Sequence, residues 1–109
     1  QYIGDEAKIS VLTLHPKLEQ DLAGSIEQTQ LGAYPVLEPQ VARQILNKLN
    51  ESLENLTLRN LPPVVLCSSR VRLPFKRLTE KHFPNLAVLS INEIAPNIEV
   101  EVVGTVMLN

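Results

Sequence analysis

The chain has 109 residues, the length of one domain with room for a single modest core. Hydrophobic residues make up 44% and charged residues 20%, which excludes a disordered chain; aromatics are only 4%, so the core has to be aliphatic. A formal net charge of −2 argues against a domain that is basic all over and binds nucleic acid, and a single Cys excludes an internal disulfide framework or a multi-Cys zinc site.

No apolar run approaches the roughly 18 residues of a membrane span, and no signal peptide is visible. The chain opens Gln1-Tyr2-Ile3 and its single Met is Met107, so a piece of a longer protein is expected.

In chain order, residues 1–8 are mixed and polar and read as a lead-in; residues 9–109 read as one α/β unit. Residues 9–14, ISVLTL, are β-branched and read as a strand ending at His15-Pro16. Pro16 suits a first helical position, and Leu18, Leu22 and Ile26 then recur on one helical face. That helix is expected to end near 28–31, with Gly32 as its stop and a loop, GAYPVLEP, after it. Glu38-Pro39 opens the longest helix, with Val41, Ile45, Leu49, Leu53 and Leu56 in one stripe. Asn60 and Pro62-Pro63 end it.

Val64 to Cys67 is continuously apolar, as in a parallel strand buried on both faces. Ser68 and Ser69 offer capping hydroxyls to a basic helix over roughly 70–83. Pro74 suggests an irregular first turn, with the regular helix starting near Leu73 and Val71, Phe75, Leu78 and His82 or Phe83 inward. Pro84 breaks it. Leu86 to Ile91 is the next strand, NEIAPN a loop, and Glu99 to Val103, continuing towards Val106, the last strand. Gly104 marks a bulge or a twist.

The order strand–helix–helix–strand–helix–strand–strand predicts a small α/β domain: a mixed four-stranded sheet with three helices. The middle strand–helix–strand is long enough for a right-handed crossover between parallel strands. The last strand, after a short loop, is expected to pair antiparallel.

Chemistry is sparse. Cys67 lies before a helix N-terminus and near Arg70 and Arg72, which would activate a thiol; a small buried hydrophobe is the plainer reading. His15 and His82 offer no ligand cluster, the first reading as surface and the second as half-buried. Ser68 and Ser69 lack a nucleophile elbow, and the strand end before them lacks the Gly-rich loop of a phosphate cradle. Glu93, with Asn92, reads as a tie for the loop backbone. The strongest feature is the set Arg70, Arg72, Lys76, Arg77 and Lys81, opposed locally by Glu80 alone. It reads as a solvated face or as a patch for an acidic protein partner. No cofactor or metal site is expected.

Several segments together carry a resemblance. Leu12 to Glu19 (LTLHPKLE) resembles the LTLDPxLE opening found in the C-terminal part of FlhA-type proteins. Pro63 to Ser68 resembles their PVLLCSP strand, and Val71-Arg72 with the basic helix resembles their arginine-rich helix. Val88 to Ile94 resembles VLSYNEI, and Glu99 to Gly104 resembles VEVVG. The segments run in order from about residue 9 to near the end.

The family is the export gate of type III secretion, which includes flagellar FlhA and its LcrD/InvA virulence relatives. His15 stands where Asp is usual, Ser69 where Pro is common and Ile91 where Tyr is common. The VEVVG ending leans towards a flagellar member.

The resemblance implies a non-enzymatic last subdomain of a cytoplasmic region, at the cytoplasmic face of the bacterial inner membrane and downstream of a membrane region. It implies packing on sibling subdomains, assembly with copies of the same protein into a ring, and contact with export chaperones, substrates or other apparatus proteins. Arg70, Arg72, Lys76, Arg77 and Lys81 are the expected contact residues. Two alternatives remain: a nucleic-acid-binding module using helix 70–82, and a thiol enzyme fragment at Cys67.

Overall fold

The computed structural model describes residues 8–30 and 32–108. The lead-in read over 1–8 lies outside the described residues except for Lys8, which opens the first strand.

The elements are β1 (Lys8–Leu14), α1 (Pro16–Gly24), β2 (Ile26–Thr29), β3 (Gly32–Pro35), α2 (Pro39–Leu58), β4 (Val64–Cys67), α3 (Ser69–Thr79), β5 (Ala87–Ser90), a 3-10 turn (Ile91–Glu93) and β6 (Glu99–Val106). Four strands form one sheet in the order β5-β4-β1-β6, and β2 and β3 form a separate antiparallel hairpin. The α/β class, the four-stranded sheet and the three helices are as read from the sequence.

Two expectations are corrected. First, β6 pairs with β1 in parallel, as β4 does with β1 and β5 with β4, so the sheet is parallel throughout. The connection over 91–98 looked too short for a crossover, which usually takes a dozen residues or more. Here a 3-10 turn over Ile91–Glu93 and a second turn closed by the Ile98 amide on the Ala95 carbonyl carry the chain across the sheet face, without an α-helix.

The handedness follows. Chain steps from β1 to β4 to β5 run one way with helices on one face. The step from β5 back to β6 runs the other way, so a right-handed connection has to cross the opposite face. Ile94 of that connection packs with Val11, Val64 and Leu66, away from the helices.

Second, α1 stops at Gly24, and Ile26 begins the hairpin instead of extending the helical stripe. The amide and hydroxyl of Ser25 both donate to the Leu22 carbonyl, closing the helix end.

The main core lies between the sheet and the helices. Leu12, Leu14, Val65, Cys67 and Val106 of the strands meet Leu18 and Leu22 of α1, Ile45, Leu49 and Leu56 of α2, and Val71 and Phe75 of α3. Phe75 is fully buried, and its truncation to Ala would cost about 3–5 kcal/mol.

The end of α2 is a Schellman motif: Asn60 adopts a positive φ of 59°, its amide bonds to the Thr57 carbonyl, and the Leu61 amide reaches the Leu56 carbonyl. In β6 the register slips between Val11/Val102 and Leu12/Gly104, which leaves Val103 as the extra residue of a bulge. A side chain at Gly104 would meet Leu12 Cδ2 at 3.0 Å, so the glycine lets the two strands approach there.

Candidate functional site

Helix α3 carries the charge feature, and its N-terminus sets its position. The helix begins directly at Ser69 and runs regularly to Thr79, not from Leu73 to residue 83. Pro74 sits inside it and is buried; a proline there removes only the bond to the Arg70 carbonyl. The buried face is Val71, Pro74, Phe75 and Thr79, with Phe83 half-buried and His82 exposed, not half-buried as expected.

The N-terminus is already satisfied by an acid from another helix. The Ser68 amide donates to Glu19 Oε2 at 3.0 Å, so a carboxylate of α1 occupies the place where an external anion would sit. At the first helix, His15 takes the capping role of an acid: its Nδ1 accepts from the Lys17 amide at 3.1 Å.

Cys67 is 2% exposed, and its thiol donates weakly to the Leu89 carbonyl at 3.7 Å. Burial, and then the Glu19 carboxylate, push its pKa up to about 12, against the smaller opposing pull of Arg72. The local field therefore holds the thiol protonated, the reverse of what a nucleophile needs. Among the described residues no group of three His, Cys, Asp or Glu side chains gathers as a metal site.

The five cations of the basic segment do not form one patch. At 100° per residue, Arg72 and Lys76 face the β5 side of α3, while Arg70 and Arg77 face the hairpin side; Lys81, beyond the helix end, lines the same cleft as Arg77. On the β5 side both are used internally. Arg72 Nε lies 3.7 Å from Glu93 Oε1, and the Glu93 carboxylate also accepts from the Ser90 amide at 2.7 Å. This ties α3 to the start of the crossover and makes Glu93 the backbone tie expected of it. Lys76 Nζ donates to the Leu86 carbonyl at 2.7 Å, fixing the lead into β5.

On the hairpin side, the Arg77 guanidinium stacks over the Tyr34 ring, 4.7 Å from its centroid. Gly32, at a φ of 112°, lies so close that a Cβ there would come within 2.8 Å of Arg77 Nη1. Arg70 and Lys81 are exposed. Between α3 and the hairpin lies an open cleft of about 730 Å³, with Tyr34, Pro35, Leu78, Arg77, Glu80 and Lys81 in its wall. Sequence reasoning missed Tyr34 as a site residue because it missed the hairpin; the aromatic two residues after Gly32 was the available signal.

Residues 1–99 match the FHIPEP family. The chain belongs to that family. The FHIPEP relative FlhA, the flagellar biosynthesis protein of Bacillus subtilis, is 36% identical over 106 residues, which covers 97% of this chain and 16% of FlhA.

Among solved FHIPEP-like structures, Chlamydia pneumoniae CdsV superposes with a TM-score of 0.76 at 33% identity, over 94% of this chain and 29% of that one. Nonameric SctV-C from EPEC gives a TM-score of 0.73 at 32% identity, over 92% of this chain and 29% of that one. CdsV has also been solved in complex with the CdsO protein. The chain therefore spans about one sixth of FlhA and less than a third of the CdsV and SctV chains it matches.

Proposed function

We propose that this chain is a cytoplasmic module of a type III export gate, working without catalysis, by packing and by contact. In this reading it packs on sibling subdomains, joins copies of the same protein in a ring, and meets export chaperones, substrates or other apparatus proteins.

The observation that carries the reading is agreement over almost the whole chain in both sequence and fold: 97% coverage against FlhA, and a TM-score of 0.76 against CdsV. Ring assembly draws support from the nonameric state of the SctV-C relative, and contact with an export component from the complex of CdsV with CdsO. A cytoplasmic place agrees with the absence, among the described residues, of any helix long and apolar enough to cross a membrane. The buried, protonated Cys67 agrees with a non-catalytic role.

Of the five cations, Arg70 and Lys81 are the better contact residues, because both are exposed. Arg72, Lys76 and Arg77 already make internal contacts, so changing them would disturb packing as well as any interface. The test is the double substitution Arg70→Glu with Lys81→Glu in the full-length protein, with secreted substrate measured in the culture medium. Export is expected to fall several-fold while the unfolding free energy of the purified chain stays within about 0.5 kcal/mol of the parent, the usual range for surface changes. Undiminished export from a stable double variant would remove these residues from the contact surface.

A further inference from the structure

We propose that the cleft between α3 and the β2–β3 hairpin binds an acidic peptide segment of a partner protein. Carboxylates would lie against Arg77 and Lys81, and an adjoining apolar side chain against Tyr34, Pro35 and Leu78. This rests on the reading of the chain as an interaction module and names the chemistry of one of its partners.

The cleft, about 730 Å³, is of the size that takes a few side chains, and it is open to solvent. Arg77 is held in place before any partner arrives. Its Cζ lies over the Tyr34 ring, and Gly32 leaves it the space it occupies. Its guanidinium keeps a full positive charge whatever contacts hold it, and that charge faces the cleft it lines. Fixed positive charge in a cleft wall attracts a carboxylate.

Lys81 stands exposed in the same wall, and Glu80 is the one acid there. Arg70 lies two turns before Arg77 on the same stripe of α3 and extends the positive side. The chain as a whole carries −2, so its acids lie mostly elsewhere. An acidic segment would be steered to this cleft and repelled from other surfaces.

Two features select a peptide over other anions. The apolar part of the wall has nothing to offer a bare inorganic ion. The cleft wall offers one aromatic ring, Tyr34, with one of its faces under Arg77, and not the row of aromatic platforms on which successive nucleic-acid bases stack.

The experiment is an NMR titration of the isotope-labelled chain with the capped peptide Glu-Glu-Leu-Phe-Glu-Glu. Controls are Lys-Lys-Leu-Phe-Lys-Lys, Glu-Glu-Gly-Gly-Glu-Glu and a short oligothymidylate. Saturable shifts are expected at the amides of Gly32, Tyr34, Arg77 and Lys81, weakening as salt rises. Lys81→Glu, which lies outside α3 and leaves the hairpin contact intact, is expected to weaken binding about tenfold, since it opposes like charges.

The proposal is overturned if no saturable shifts occur, if they map elsewhere, or if Lys81→Glu binds equally well. It is also overturned if the lysine or glycine peptide binds as tightly as the first peptide. Tighter binding of oligothymidylate at the same amides would replace it with a nucleic-acid site. The two readings separate cleanly. If the charge reversals lower export but the peptide does not bind, the cleft proposal fails and the export module stands; a binding peptide with unchanged export keeps the cleft and removes Arg70 and Lys81 from the export contact surface.

Discussion

Cys67 shows how much a single position depends on its surroundings. Its neighbours in sequence include Arg70 and Arg72, which would lower the pKa of an exposed thiol. In the fold, burial and Glu19 outweigh them and raise it to about 12. The thiol is therefore expected to react with an alkylating reagent at pH 8 about 100-fold or more slowly than in the urea-unfolded chain, with a rate set by opening of the fold. Labelling at the unfolded rate would contradict this.

The pH dependence has a definite sign. The folded state keeps the neutral thiol, whereas the unfolded thiol ionises above its ordinary value of 9.0. Stability is thus unaffected by this group below about pH 9 and falls as pH rises from there towards about 12. Urea midpoints of the parent and of Cys67→Ala, compared at pH 8 and pH 10, isolate that slope: the parent is expected to lose more than the variant.

At this scale the sequence was legible in part. Glu93 as a loop tie and Cys67 as a buried residue were both readable from their neighbours. The carboxylate at the α3 N-terminus was not, because Glu19 lies far upstream and only tertiary packing brings it to Ser68. The cations could be counted but not sorted, since their partners Glu93, the Leu86 carbonyl and Tyr34 all lie on other elements.

Among the elements, the hairpin is the one the sequence hid. Ile26 continues the spacing of Leu18 and Leu22, and the β2 residues Glu27, Gln28 and Thr29 are exposed and polar, so no two-residue alternation announces a strand. Gly24-Ser25 is the stop signal that was passed over. By contrast, α2 was readable end to end, from Pro39 at its start to the left-handed Asn60 after its end, because both boundary residues have a local steric reason.

The hairpin's attachment to α3 depends on Gly32. Gly32→Ala would impose a side chain at a φ of 112° and push against Arg77. It is expected to destabilise the chain by about 1–2 kcal/mol. The Tyr34 ring resonances should shift as Arg77 leaves its stacked position. An unchanged melting temperature with unchanged Tyr34 resonances would show that the stacking does not hold the hairpin.

Taken as a whole, the molecule is a parallel sheet with three helices on one face and an irregular crossover on the other. That crossover covers the second face thinly: Val102, paired with the buried Val11, remains 54% exposed, and Ile91 of the crossover is 63% exposed. The α/β class was legible because Val64 to Cys67 is apolar on every residue, as a central parallel strand must be. The direction of β6 was not, because loop length is a weak guide when two short turns alone carry the chain across a face.

The central claim is that this fold serves protein export as part of a larger gate. The direct measurement replaces the matching 106-residue segment of B. subtilis FlhA with this chain, in cells lacking their own FlhA, and quantifies flagellin in the medium. The account predicts that flagellin export returns, well above that of FlhA lacking the segment altogether. A chimera that accumulates at the normal level in the membrane yet exports no more than the truncated protein would contradict it.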